Sequence, residues 1–351
     1  MIEVLAAGPM LSVQDAGRSG LRRFGVSGAG PIDAAALALA NVLCGNAPNA
    51  AGLEFAGPAG RFRSTGPTRF AVVGGDCRIR IGERLVPAGE SHRLDPGEEV
   101  SVGAPEGAVW AYLAFAGGIE TPLVLGARAT HLRNALGGVE GRVLRAGDRL
   151  PLGAAAEGPC LRPALTLRGG AIPRGAGPIR LVPGPQQDRF APEILDRLTG
   201  TTFTVSPRRD RMAMVLEGAL LPAAGGHDIV SDGVVPGSVQ VPGSGQPIVL
   251  LAESQTTGGY PKIATIAGVD LPRLAQLPVG ALVRFAAITR DVAEELWIAD
   301  QARLRTLLAG LVPRPEGRLR SDYLLSLDLV GGIATPEEIV PTPHGEEGPS
   351  R

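Results

Sequence analysis

Arg69-Phe70-Ala71-Val72-Val73-Gly74-Gly75-Asp76-Cys77-Arg78-Ile79-Arg80-Ile81 carries the reading that decides the fold. After the Gly74-Gly75 turn, Arg78 and Arg80 alternate with Ile79 and Ile81. This is the period-two pattern of a strand with one face in a core and the other in water. The same texture recurs in short apolar runs at 109–116, 179–182, 238–241, 247–252 and 281–287, each bounded by Gly or Pro. Many short strands punctuated by turns predict a mainly β chain of the barrel or sandwich kind.

Helices are few. Asp33 precedes the helix formers of 34–43 and Gly45 follows them, so an N-capped helix is expected there. A shorter helix is expected over 191–198. Over 291–311, Trp297, Leu304, Leu308 and Leu311 share one side at helical spacing, which predicts a C-terminal helix with a packing stripe.

With 351 residues the chain exceeds one average domain. The stretch 153–177 is rich in Gly, Ala and Pro without periodicity, so the expected division is a first β lobe at 1–170, a second at 171–290, and a helix with a frayed tail at 291–351. One ordered turn or strand is expected near 323–327, and disorder from 335 onward.

Fifty glycines and 31 prolines fit a turn-rich chain, and 44 % apolar residues suffice for a core. A net charge of −1, with no basic stripe, excludes nucleic acid as the expected partner. No apolar run is long enough for a membrane span and no leader pattern opens the chain, so a cytoplasmic protein is expected. Cys44, Cys77 and Cys160 are widely spaced and read as reduced, buried thiols. His92, His131, His227 and His344 are scattered, so no metal site is expected. There is no Gly-x-x-x-x-Gly-Lys loop, and the glycines of 25–30 do not match a dinucleotide fingerprint. Nor is there a Met-Lys-Met segment to carry biotin, so no biotin is attached to this chain.

Eight blocks in order resemble the family that joins the 5-oxoprolinase subunit-C proteins with allophanate hydrolase subunit 2, a biotin-dependent carboxyltransferase-like domain. The first lobe contributes residues 12–18, 33–41, Gly45-Asn46 and 122–130. The second contributes 184–190, Asp210-Arg211-Met212, Ser231-Asp232-Gly233, and a long match from Gln240 through Gln255-Thr256-Thr257-Gly258-Gly259-Tyr260-Pro261-Lys262. The resemblance implies two cyclophilin-like β-barrel lobes. It also implies one component of an ATP-dependent 5-oxoprolinase, opening 5-oxo-L-proline to L-glutamate with two kinds of partner. These are a subunit-B-like (allophanate hydrolase subunit 1) protein and a lactam-utilisation protein of the subunit-A type. ATP would then sit on, or with, those partners. Two other readings stay open: the carboxyltransferase part of a biotin-dependent urea or amide carboxylase, and a non-catalytic regulator binding a subunit-B-like kinase inhibitor. Three positions depart from the family pattern: Ala29 replaces a hydroxyl, Arg209 stands where Ser is usual, and Val215 where an Arg is usual.

Within these blocks Gln14, Asp15 and Arg18 combine an amide, a carboxylate and a guanidinium around Gly17, groups able to hold a planar amide or carboxylate, or else to pin a loop. Asp15 and Arg18 are expected to be catalytic and Gln14 and Arg128 substrate-binding. Asp33 is read as either an N-cap or a substrate ligand. Asp210 and Arg211 are read as a turn-closing ion pair or a substrate anchor. Ser231 is read as a substrate ligand or as part of an ordinary Asx turn; with His227 its only neighbouring histidine and no Gly-x-Ser-x-Gly elbow, a serine hydrolase is disfavoured. The third catalytic expectation is Lys262, the only lysine among 34 basic residues. A lysine kept in so Arg-biased a chain marks a place where a compact ammonium is needed. Gln186, Gln240, Gln255, Thr256 and Tyr260 are expected to orient substrate around it.

Overall fold

The structure is a computed structural model that describes residues 1–155, 164–166, 172 and 175–314. Cys160, His344, the expected element at 323–327 and the tail from 335 lie outside the described residues. Met1–Arg314 forms one compact unit.

The first part of the chain builds two antiparallel sheets. In edge-to-edge order, one contains Arg149–Leu150, Ile2–Ala7, Gly60–Ser64, Glu99–Glu106, Asp76–Ile81 and Arg84–Val86. The other contains Ser12–Gln14, Gly52–Ala56, Trp110–Phe115, Thr68–Val73 and Ser91–Leu94. Phe62 and Ile79 of the first meet Leu53, Phe70, Leu113 and Phe115 of the second in one core, with the Phe62 and Phe115 rings edge-on at 6.3 Å. The first part of the chain is thus two facing sheets around one core.

Residues 69–81 belong to both sheets, because the chain leaves one at Val73 and enters the other at Asp76. Gly74 makes that crossing at φ +123, where a Cβ would lie 2.6 Å from the Trp110 carbonyl oxygen. Past the turn the predicted alternation holds, with Cys77, Ile79 and Ile81 buried and Arg78 exposed. Thr68–Val73 and Trp110–Phe115 do not alternate and are buried throughout. Their second face is covered by α1 (Ala34–Leu43), whose Leu37, Leu39 and Leu43 pack on Ala71, Tyr112 and Ala114. A sheet covered on both sides has no wet face to mark with polar residues. Gly74→Ala is expected to cost about 1–3 kcal/mol, the range for forcing a side chain into such a backbone conformation; a denaturant midpoint equal to wild type would contradict this.

The second part is a closed seven-stranded barrel of Ile179–Pro183, Lys262–Ile266, Ser238–Gln240, Ile248–Leu250, Ala213–Glu217, Thr202–Arg209 and Leu282–Ala287. It closes through the parallel pairing of Ile179–Pro183 with Leu282–Ala287. Phe203, Met214, Val249, Ile263 and Phe285 fill it, joined by Ile32 and Trp110 from the first part. The helices α2 (Pro192–Gly200) and α3 (Leu271–Ala275) belong to this part.

The C-terminal helix α4 (Arg290–Ala309) is capped by Thr289, whose hydroxyl accepts from the Val292 N–H at 3.3 Å. It contacts α1 and Ile179–Pro183. Of the expected stripe, Leu308 and Leu311 pack against the α1 cluster, while Trp297 remains 49 % exposed over the Gly268 backbone. Periodicity finds the side of a helix that packs but not how far along its length the surface beneath it extends. Cys44 and Cys77 are free and buried. Burial pushes both thiols up, Cys77 to about 12. Among the described residues no helix is long and apolar enough to cross a membrane.

Candidate functional site

Lys262 opens its barrel strand opposite Gln240. Immediately before it, Thr257–Gly258 pairs with Asp232–Gly233 in a two-residue ladder, which brings Asp232 to the lysine. The Lys262 ammonium donates to Asp232 Oδ2 at 2.6 Å and to the Gly233 carbonyl at 3.0 Å. Its side chain is 2 % exposed, whereas that of Asp232 is 50 % exposed. Gln186 clamps the pair, donating from Nε2 to Asp232 Oδ2 at 3.0 Å and accepting the Lys262 backbone N–H at Oε1, 3.2 Å. The Lys262 ammonium, then Gln186 and the Gly233 N–H, hold the Asp232 carboxyl below the usual range.

Gln255 Nε2 donates to Gln240 Oε1 at 3.3 Å. Gln240 Nε2 is buried without a hydrogen-bond partner among the described residues. A Cβ on Gly258 would come within 2.4 Å of that nitrogen, so the Gln240 amide lies directly against the glycine. Thr256 contributes its carbonyl, which accepts the Val234 N–H at 3.0 Å, and Tyr260 stands 40 % exposed beside the cluster in sequence. The structure therefore joins Lys262 and Gln186 through Asp232, and sets the Gln240–Gln255 pair beside them through the register of Gln240 opposite Lys262. Asp232 was visible only as the middle of Ser231-Asp232-Gly233; the signal was a carboxylate in a Gly-bearing turn, and the ladder that aims it is tertiary.

Asp15 and Arg18 form a second corner. The Asp15 carboxylate accepts the N–H groups of Gly17, Arg128 and Ala129 at 2.9, 2.5 and 3.1 Å. It pins one loop to another, the second of the two roles the sequence allowed. Arg18 is 3 % exposed, and its Nε donates to the Val124 carbonyl at 3.0 Å. Burial lowers its pKa, opposed by the charge of Asp15. Gln14 donates to Ser12 Oγ and the Thr130 carbonyl at 3.0 and 3.1 Å. Arg128 reaches Glu120 at 3.5 Å. Arg22, which sequence reasoning missed, ties this corner to the first, donating to the carbonyls of Val234 and Gln255 at 2.8 and 2.6 Å.

Asp33, Asp210 and Arg211 are held by other partners. Asp33 caps α1 by accepting the Ala36 N–H at 3.2 Å, and also accepts from Gln276 Nε2 at 3.0 Å. Asp210 accepts the Met212 and Ala213 N–H groups at 2.7 and 3.0 Å, closing its turn without the expected pairing to Arg211. Arg211 instead turns inward, donating to Glu54, to Glu253 at 2.6 Å and to the Gly30 carbonyl at 2.6 Å. Its neighbour Arg209, a departure from the family pattern, caps the end of α3 by donating to the Ala275 and Leu277 carbonyls, both at 2.5 Å. Ala29 takes φ +50 and Val215 lies in a barrel strand opposite Ile248. Ser231 is exposed and, among the described residues, makes no hydrogen bond with His227.

This geometry has known relatives. The sequence model of the carboxyltransferase domain, subdomain A and B, matches residues 24–287. The chain is 36 % identical to the 5-oxoprolinase subunit-C protein of Escherichia coli over 84 % of its own length and 93 % of that protein. It is 28 % identical to urea amidolyase of Lachancea kluyveri, over 92 % of this chain but 18 % of that protein. Among solved structures, TTHA0988 superposes with a TM-score of 0.71 at 34 % identity over 81 % of this chain. This chain spans about half (56 %) of TTHA0988.

Proposed function

Because the chain belongs to the carboxyltransferase domain family, subdomain A and B, we propose that it is one component of an ATP-dependent 5-oxoprolinase, opening 5-oxo-L-proline to L-glutamate together with separate partner proteins. The carrying observation is length: the chain spans 93 % of a protein named for its place in 5-oxoprolinase, against 18 % of a urea amidolyase. A subunit-B-like protein and a lactam-utilisation protein of the subunit-A type complete the enzyme, which works in the cytoplasm.

A lactam carbonyl is a poor electrophile, and ATP supplies the activation by phosphorylating its oxygen. Within this chain, Lys262 is the group suited to the oxygen on which charge develops. A compact ammonium fixed by Asp232 and Gly233 is preorganised, and its third N–H has no acceptor among the described residues. Gln255 and Tyr260 orient the ring beside it. The Lys262 charge is already balanced by Asp232, so the cluster suits one oxyanion better than a triphosphate, and the nucleotide is assigned to the partners.

The test is ATP-dependent glutamate formation by the purified components, with and without this chain. Loss of activity on omission is expected; undiminished activity would refute the reading. The likeness to urea amidolyase supports a second reading, transfer of a carboxyl group to urea or another amide. Co-purification of a biotin carboxylase and a biotin carrier with this chain would favour it.

A further inference from the structure

The Arg18 guanidinium is a buried cation whose two Nη atoms have no partner among the described residues. The residue is 3 % exposed. Unpaired N–H groups of a charged side chain are costly to bury. Its nearest acid, Asp15, accepts three backbone N–H groups, while Arg18 Nε is fixed on the Val124 carbonyl. That bond leaves the two Nη atoms as a free fork. Two further orphans are attached to the same segment: Gln14 Oε1, whose Nε2 holds the Thr130 carbonyl, and Arg128 Nε.

The cover over the fork is unusual. A Cβ at Gly137 would lie 2.5 Å from Arg18 Nη2, so this glycine lies directly on the guanidinium. Nearby, Leu125, Ala135 and Glu140 take φ of 53, 49 and 53, the left-handed region that non-glycine residues rarely enter. Backbone strain of this kind is retained where a segment has work to do. Residues 131–141 are anchored at one end by the Leu132 N–H donating to Glu253 Oε2 at 3.2 Å, and again by the Gly138 N–H donating to the Arg128 carbonyl at 2.7 Å.

We infer that Arg18 anchors an oxyanion site roofed by residues 131–141, in which the free fork takes a pair of carboxylate or phosphate oxygens once the roof lifts. A guanidinium fork matches two oxygens of one carboxylate or phosphate. Unlike Arg18, the Lys262 cation is already paired within the chain. The choice of 5-oxo-L-proline as a probe rests on the function proposed above; the site itself does not.

The experiment measures binding to the full chain, purified with its partners, of 5-oxo-L-proline, of 2-pyrrolidinone (the same ring without the carboxylate) and of inorganic phosphate. Wild type is compared with Arg18→Gln and Arg18→Lys. Loss of the fork should weaken the anion that uses it by about 10²-fold, the scale of hydrogen bonds to a charged group, and leave 2-pyrrolidinone unaffected. Arg18→Lys should recover part of the loss. Should either variant fail to fold, wild type alone decides: amide exchange over 131–141 should quicken on saturation with the anion that binds, because the anion holds the roof off the fork. If phosphate depends on Arg18 and 5-oxo-L-proline does not bind, the site stands and the 5-oxoprolinase reading falls. Anion binding indifferent to Arg18, binding of no anion, or unchanged exchange over 131–141 at saturation would each overturn the inference.

Discussion

Arg211→Leu should lower the unfolding free energy by about 3–5 kcal/mol, the range for removing one partner of a buried ion pair. Glu54 and Glu253 are 0 % and 5 % exposed, and Arg211 donates to both. Without it, Glu54 keeps, among the described residues, the Ile32 N–H and the Tyr112 hydroxyl, at 2.8 and 2.7 Å, to hold its charge away from water. The loss should spread to the junction of the two parts of the chain. Tyr112 accepts the Asp33 N–H at 2.7 Å, Asp33 accepts from Gln276, and Gln276 Oε1 accepts the Val109 and Trp110 N–H groups at 3.0 and 2.8 Å. Urea unfolding monitored by Trp fluorescence is the measurement. Combining Arg211→Leu with Glu54→Gln should restore part of the stability, because one stranded charge is gone. A single variant within about 1 kcal/mol of wild type would show that the seam contributes little, as many exposed pairs do.

Lys262→Arg is expected to reduce turnover of the assembled enzyme by about 10²-fold, the effect of losing one positioned electrostatic contact. The ammonium fits a 2 % exposed niche between Asp232 Oδ2 and the Gly233 carbonyl, and a bulkier planar guanidinium cannot place one N–H on each and a third on substrate. Lys262→Met should reduce turnover further without unfolding the chain, since Asp232 is half-exposed and can be solvated where it stands. Size-exclusion chromatography of each variant with its partners separates a chemical defect from a failure to assemble. Normal assembly with full turnover in Lys262→Arg would remove the lysine from the proposed chemistry.

By itself the sequence was enough to predict the mainly β class, the capped helix after Asp33, the alternation of Ile79 and Ile81 with arginine, and Lys262 and its glutamines as a group worth watching. Each rests on short-range chemistry: a side-chain oxygen three residues from an N–H, a two-residue strand period, or one residue type that stands out in a biased composition. Only the tertiary structure decided that 69–81 changes sheets at Gly74, that Thr68–Val73 is buried on both faces, that Asp232 rather than Ser231 faces Lys262, and that Arg211 turns away from Asp210 toward Glu54 and Glu253. Those outcomes depend on partners far apart in the chain, 157 residues for Arg211 and Glu54 and 30 for Lys262 and Asp232. A charged side chain is fully solvated in the extended chain and selects its partner only when folding removes that water. Local patterning therefore determines which groups must be paired, and packing determines with what.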